Sequence, residues 1–426
     1  MSKILILAVL PLALLLSGMP IFLILLTASM AALLFIVDVP LSAVPQMMFG
    51  SIDKFSLLAV PFFIFAGEIF SQGGVSERLI RWVQSIFGGV RGSLAFTTVG
   101  TCEFFGAISG SSPATVAAIG RTMYPALRKG GYDEKFTLGL LTSGGAIASV
   151  IPPSIIMIIY GAAAEQSVAK LFMGGFLPGI LIGLLMAVYI SYYASRHELA
   201  ATESFNLARL VHATRESIWA LGAPIFILGS IYAGICTPTE AAGIACVYGI
   251  VVTRLIYREL SWRRLFDISV SSAFLTAQVM IIVAASGVFS WLLTISGVPQ
   301  ALVKLIADLQ ISPTMLLLVI NFLLLLVGCL IDPASATLVL TPLLVPIVMH
   351  AGIDLIHFGI ILTVNLSIGM FTPPFGLNIF VSQALFKAPM RAITAGLVPF
   401  LVAQLAALAI ITYVPALSLY LGQFVK

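Results

Sequence analysis

The chain has 426 residues, of which 60% are hydrophobic and 9% charged, and its formal net charge is +4. Water-soluble domains carry about 25% charged residues, so this composition excludes a soluble globular enzyme or binding module. Its apolar runs come in lengths near those that cross a ~30 Å hydrocarbon core. The short alternating strands of a β-barrel are missing, which leaves helices to satisfy the backbone in lipid. The expected fold class is an all-α polytopic membrane protein.

Apolar segments run over 4–18, 20–37, 56–71, 95–120, 137–162, 171–194, 216–235, 239–257, 268–297, 314–350, 357–382 and 392–423. Residues 1–17 have the short basic start and apolar stretch of a signal peptide. The next run follows at once after Gly18-Met19-Pro20, so a retained first helix is expected. The run 95–120 is interrupted at Ser109-Gly110-Ser111-Ser112-Pro113, and the run 314–350 at Asp332-Pro333. Proline removes a backbone donor and clashes with the preceding turn. Backbone that leaves a helix inside a membrane is tolerated only where protein or a polar cavity receives it.

Reading both interrupted runs as re-entrant hairpins and alternating the other spans sorts the charges. Sixteen of the 21 Lys and Arg fall on one side, among them Arg78, Arg128, Arg209 and Arg264. Lys3, Lys54, Lys170, Lys304 and Lys426 fall on the other. The positive-inside rule assigns the larger group to the cytoplasm. The stretch 195–215, with Arg196, Glu203, Arg209 and His212, is the most polar and reads as an amphipathic helix on the cytoplasmic surface.

The sequence also repeats. Ser112-Pro113-Ala114-Thr115 returns as Asp332-Pro333-Ala334-Ser335, and Gly131-Tyr132-Asp133 as Gly352-Ile353-Asp354. Ile151-Pro152-Pro153-Ser154 returns as Thr372-Pro373-Pro374-Phe375. All three lie 220 or 221 positions apart. The charge-derived topology places the first hairpin at the cytoplasmic face and the second at the outer face, so the halves are expected to be inverted repeats. Interrupted segments in corresponding positions point to a transporter's binding site.

Two constellations follow. The first joins Ser109, Gly110, Ser111 and Ser112 with Gly144 and Ser149 near Pro152-Pro153. The second joins Asp332 and Ser335 with Asn365, Gly369 and Thr372 near Pro373-Pro374. Hydroxyls and freed carbonyls are hard oxygen ligands of the kind sodium needs, and half-helix N-termini attract a carboxylate. Pro113, Thr115, Ser154, Thr337 and Asn378 are the matching candidates for the substrate. The competing reading is that the small residues permit close helix packing. Asp332 is either a functional intramembrane carboxylate or a cap for the helix that Pro333 begins. Glu68 and Glu103 are candidates for proton relay or arginine pairing. Glu240 is read as supporting a helix start capped by Thr239. The four cysteines lack metal-ligand spacing and read as packing residues. No transition-metal site is expected, and no phosphate-cradling loop points to a nucleotide.

These residues carry a family resemblance. The run from Gly106 through Ser109-Gly110-Ser111-Ser112-Pro113 to Gly120 resembles the large membrane subunit of tripartite ATP-independent periplasmic (TRAP) transporters. So do residues 60–67, Thr237-Pro238-Thr239-Glu240 and Thr372-Pro373-Pro374-Phe375-Gly376-Leu377-Asn378. The resemblance implies a multi-pass subunit of a bacterial inner membrane, with an elevator-type transport domain and a scaffold. Residues 1–55 and 216–267 would be scaffold. Residues 56–194 would be the first repeat, 195–215 the connector and 268–426 the second repeat. It implies a small four-helix membrane subunit, a periplasmic substrate-binding protein, and sodium-driven import of an organic acid of the C4-dicarboxylate or sialic acid type. Its surroundings would be membrane lipid, with no nucleic acid involved. The alternatives are a stand-alone ion or organic-anion antiporter and an intramembrane enzyme using Asp332 and a glutamate. An enzyme needs one focused catalytic cluster, which the sequence does not display.

Overall fold

The computed structural model describes residues 5–37, 39–199, 201 and 204–424, and every regular element among them is helical. A π-helical turn, Leu5–Val9, leads into α1 (Leu10–Leu16), which pairs with α2 (Ile21–Phe35). Then come α3 (Ala43–Ile52), α4 (Ala59–Gln72) and α5 (Val75–Phe87). The first helical hairpin is α6 (Ser93–Ser109) with α7 (Ser112–Lys129). Next, α8 (Glu134–Ile147) and α9 (Ile155–Ala164) are separated by residues 148–154, and α10 (Val168–Arg196) closes the half.

The second half opens with α11 (Leu207–Tyr232), α12 (Pro238–Ile250), α13 (Trp262–Ile295) and α14 (Val298–Asp308). The second hairpin is α15 (Pro313–Gly328) with α16 (Pro333–His350). A second interrupted pair, α17 (Leu355–Gly369) and α18 (Leu377–Phe386), precedes α19 (Met390–Tyr413) and the short α20 (Ala416–Leu419). Six helices among the described residues are long and apolar enough to cross a membrane, and α9, α15, α17 and α18 are shorter. A ten-residue helix such as α9 rises ~15 Å, half the hydrocarbon thickness.

Local chemistry sets these boundaries. The carboxylates of Asp133 and Asp354 accept backbone N–H groups at the starts of α8 and α17. Each is preceded by a left-handed glycine, Gly131 at φ +83° and Gly352 at φ +71°. Left-handed Glu165 (φ 55°) ends α9, and left-handed Lys387 (φ 52°) ends α18. Cis peptide bonds lie at Pro152-Pro153 and Pro373-Pro374. The repeat thus extends from the sequence to caps, turns and breaks.

The two repeats interlock. The second arm of each hairpin packs on the post-break helix of the other half, α7 on α18 and α16 on α9. In the same exchanged sense α8 lies on α19, and α17 on α10. Small residues make this possible: a Cβ on Gly139 of α8 would stand 2.0 Å from the Gly396 carbonyl oxygen of α19. Helices in lipid gain little from hydrophobic burial against one another, so close backbone approach takes its place. A separate core joins Leu25, Ala28 and Ala32 of α2 to Ala285, Val288 and Phe289 of α13.

The stretch 195–215 is not the single surface helix expected from its polarity. Arg196 ends α10, and Asn206 caps α11 by accepting from the Ala208 and Arg209 N–H groups. From there α11 runs without a break into the apolar segment, so the polar residues are its first turns. Glu203, Lys3 and Lys426 lie outside the described residues.

Candidate functional site

Each hairpin turns where proline can begin a helix without losing a bond, because the first N–H groups of a helix have no partner. Gly110 adopts φ +60° and Ser111 is extended, so that Ser112-Pro113 start α7. A Cβ on Gly110 would stand 2.3 Å from the Pro153 carbonyl oxygen, which seats the first tip on the first break. The second tip is tied likewise, the Phe375 N–H donating to the Cys329 carbonyl at 3.2 Å.

Both tips and both breaks line one cavity of about 720 Å³. Its wall includes Ser109 to Ala114, Ser149, Ile155, Leu330 to Ala334, Met370 and Leu377. Four helices end at it (α6, α8, α15 and α17), and four begin at it (α7, α9, α16 and α18). The rest of the wall is mostly apolar, formed by the α1–α2 turn at Leu15 and Gly18 to Phe22, by Ile64 and Gly67 of α4, and by Leu275, Val279, Ile281 and Ile282 of α13. Glu68 of α4 and Gln278 of α13 are its polar exceptions.

Of the predicted residues, Ser109, Gly110, Ser111, Ser112, Pro113, Ser149 and Asp332 therefore line the cavity. Ser109 Oγ is buried with no hydrogen-bond partner. The Asp332 carboxylate caps α16, accepting the Ser335 N–H at 3.0 Å and the Ser335 hydroxyl at 2.5 Å. Asn378 lies just behind the wall. Its Nδ2 donates to Ser112 Oγ at 2.7 Å and to the Thr142 carbonyl at 3.1 Å, while its Oδ1 is buried without a partner.

Other candidates stand back from the cavity. Thr115, Thr337 and Thr372 each donate to a backbone carbonyl four residues earlier. The Ser154 hydroxyl donates to the Ser149 carbonyl and caps α9. Gly369 is a close-packing position, where a Cβ would stand 2.4 Å from the Gly328 carbonyl carbon. A Cβ on Gly144 would meet only Cys102 Sγ, at 3.4 Å. Asn365 Nδ2 donates to Asn321 Oδ1 at 2.7 Å, and Asn365 Oδ1 is buried and unpartnered. Asn321 is a polar residue that sequence reading passed over. An amide inside the apolar run of α15 is the signal that marks it.

The remaining glutamates separate. Gln72 Nε2 donates to Glu68 at 2.9 Å. Glu103 packs against α10 beside Gly183. Glu240 and Thr237 form a reciprocal capping box at the start of α12, so Thr237, not Thr239, is the cap. Thr239 instead donates to the Phe55 carbonyl.

The family model of the tripartite ATP-independent periplasmic transporter, DctM component, matches residues 8–417. The chain is 40% identical over 404 residues to the isethionate TRAP transporter permease protein DctMQ of Oleidesulfovibrio alaskensis. That alignment covers 95% of this chain and 64% of that one, so this chain spans less than two thirds of that relative. It is also 40% identical over 374 residues to the C4-dicarboxylate TRAP transporter large permease protein DctM of Pseudomonas aeruginosa, covering 88% of each. Among solved structures it resembles the YdaH transporter of Alcanivorax borkumensis, with a TM-score of 0.63 and 15% identity over 94% of this chain and 97% of that one. At that identity the likeness concerns the fold. Because the family match runs through both hairpins and both breaks, the chain belongs to the DctM component of the tripartite ATP-independent periplasmic transporters, as a large permease subunit.

Proposed function

We propose that this permease subunit imports a small organic acid together with sodium ions, by an elevator motion of the interlocked hairpin bundle. The observation that carries the reading is the single cavity lined by both tips and both breaks. Helix N-termini offer N–H groups and partial positive charge to an anion. Those of α7 and α18 carry no side-chain cap, whereas Ser154 and Asp332 cap α9 and α16. At α18 the Asn378 and Ile379 N–H groups already donate to the Met370 and Gly376 carbonyls, so the open start is that of α7, held to α18 by the Asn378–Ser112 hydrogen bond. The acid group of the solute goes there.

Cation binding is supported by side-chain oxygens rather than by the ends of α8 and α17, whose last carbonyls accept the N–H groups of the residues that follow. Ser109 Oγ, Asn365 Oδ1 and Asn378 Oδ1 are buried oxygens without donors. Hard cations take oxygen ligands of these kinds, so the residues fit sodium. The relatives' names specify isethionate and C4-dicarboxylate, and the acid group common to both is what is carried over here.

An elevator reading draws on the α2–α13 core, against which Val339 and Leu343 of the second hairpin pack, and on the cavity lined by both α13 and the hairpin tips. The bundle would slide along this wall and carry its polar lining under cover. As a component of a tripartite inner-membrane system, the subunit works with a small membrane subunit and a periplasmic binding protein. The test is uptake into proteoliposomes holding the permease and the small subunit, with the binding protein outside. A sodium gradient should drive uptake without ATP. Equal uptake when potassium replaces sodium, at matched membrane potential, overturns the coupling.

A further inference from the structure

The cavity's charge inventory narrows the solute further. Glu68 and Asp332 are the ionisable side chains of its lining among the described residues, and no Lys, Arg or His among them lines it. Asp332 is already engaged, both carboxylate oxygens being bonded to Ser335 at the start of α16. Glu68 is engaged on one oxygen, by Gln72 Nε2. The Gln72 amide is itself oriented, because its oxygen accepts Arg264 Nε at 2.8 Å. The sequence Arg264–Gln72–Glu68 thus holds a carboxylate at the cavity wall, with a guanidinium two hydrogen bonds away and outside the lining.

Glu68 stands next to the first hairpin tip. A Cβ on the adjacent Gly67 would lie 3.1 Å from the Ser109 carbonyl oxygen. The Ser109 hydroxyl lines the same cavity, is 1% exposed, and has no partner. One side of the first tip therefore offers acceptors and negative charge, while the start of α7, which has no side-chain cap, offers N–H groups.

This inference rests on the reading of the cavity as the solute site. A solute with only acidic groups would meet the Glu68 charge with no cationic side chain between them. A solute that also bears a protonated nitrogen would complement both ends, since a charge-assisted hydrogen bond to a carboxylate is among the stronger ones. We propose that the solute is a small zwitterion, an organic acid carrying a protonated nitrogen, and that Glu68 is its counter-charge, with Gln72 and Arg264 as positioning residues.

Matched solutes that differ by an ammonium in place of a hydroxyl test this: taurine against isethionate, aspartate against malate, and β-alanine against 3-hydroxypropionate. Binding is measured by calorimetry on the full chain with its small membrane subunit, in lipid nanodiscs with sodium present. At least one ammonium compound should bind about tenfold tighter than its hydroxyl partner, the margin of one such hydrogen bond. Glu68→Gln should abolish that preference while leaving sodium half-saturation unchanged, and Glu68→Asp should keep part of it. Gln72→Leu should weaken it. Equal or tighter binding of every hydroxyl partner overturns the proposal, as does a preference that survives Glu68→Gln. A Glu68→Gln protein that loses sodium affinity instead makes Glu68 an ion ligand and also overturns it. Failure of all six compounds to bind overturns it too. Sodium binding on the same sample without solute tests the cavity reading separately.

Discussion

Ser149 Oγ and Met370 Sδ lie 3.9 Å apart, and the two residues occupy the same place in the two repeats, 221 positions apart in the chain. Each follows the last turn of the helix that precedes its break, and each lines the cavity. The contact between equivalent positions joins the two broken helices and sets the cavity on the seam between the halves.

That contact has little room. Ser149 is 2% exposed and its hydroxyl meets Met370, so Ser149→Leu crowds that contact at the cavity edge, which costs about 1–3 kcal/mol. Met370→Leu conserves volume and should cost less than about 1.5 kcal/mol. Thermal unfolding of the purified protein should rank them in that order, with sodium binding retained in Met370→Leu. The opposite ranking contradicts the seam.

Gly110 and Gly131 separate two uses of glycine. Both have positive φ, but a Cβ meets the Pro153 carbonyl at Gly110 and nothing within 4 Å at Gly131. A left-handed residue with a Cβ costs about 1–2 kcal/mol, which is all that Gly131→Ala should lose. Gly110→Ala should also unseat the first tip and abolish sodium binding. Normal binding by Gly110→Ala would remove the tip from the site.

The capping box at Thr237 and Glu240 stabilises the start of α12. Thr237→Ala should lower stability by about 1 kcal/mol and leave the sodium dependence of uptake alone. A change in sodium half-saturation would give this helix start a role in coupling.

The topology read from the charges makes its own prediction. In a background without the four native cysteines, an impermeant thiol reagent outside should label a cysteine beside Asp354 and not one beside Arg209. The reverse pattern contradicts the orientation.

Much of the cavity lining was legible because its signals are local. Ser112-Pro113 and Asp332-Pro333 mark the hairpin turns whatever the rest of the chain does, since proline sets where the next helix begins. The repeat offset pairs the two breaks. What stayed hidden depends on distant contacts. Asn378 reaches Ser112 across 266 residues, and Asn365 reaches Asn321 across 44. Nothing near Gly18-Met19-Pro20 announces that this turn walls the cavity. The polar stretch after α10 misled because its polarity resembles a surface helix, whereas Asn206 supplies the cap that splits it. Thr115, Thr337 and Thr372 lie outside the cavity lining, and their hydroxyls donate to their own helices, which the sequence alone does not show.

The most direct measurement is binding of radiolabelled sodium to the purified permease, with and without excess potassium. It needs no knowledge of the solute. The account predicts saturable binding that potassium does not displace. Ser109→Ala should weaken it about tenfold, since a hydrogen-bonding group at a charged centre is worth roughly 1.5–3 kcal/mol. Asn378→Leu, which removes both the unpartnered Oδ1 and the bond to Ser112, should weaken it at least as much. Undiminished binding in both variants would place the ion elsewhere, and displacement by potassium at equal concentration would contradict sodium coupling at this cavity.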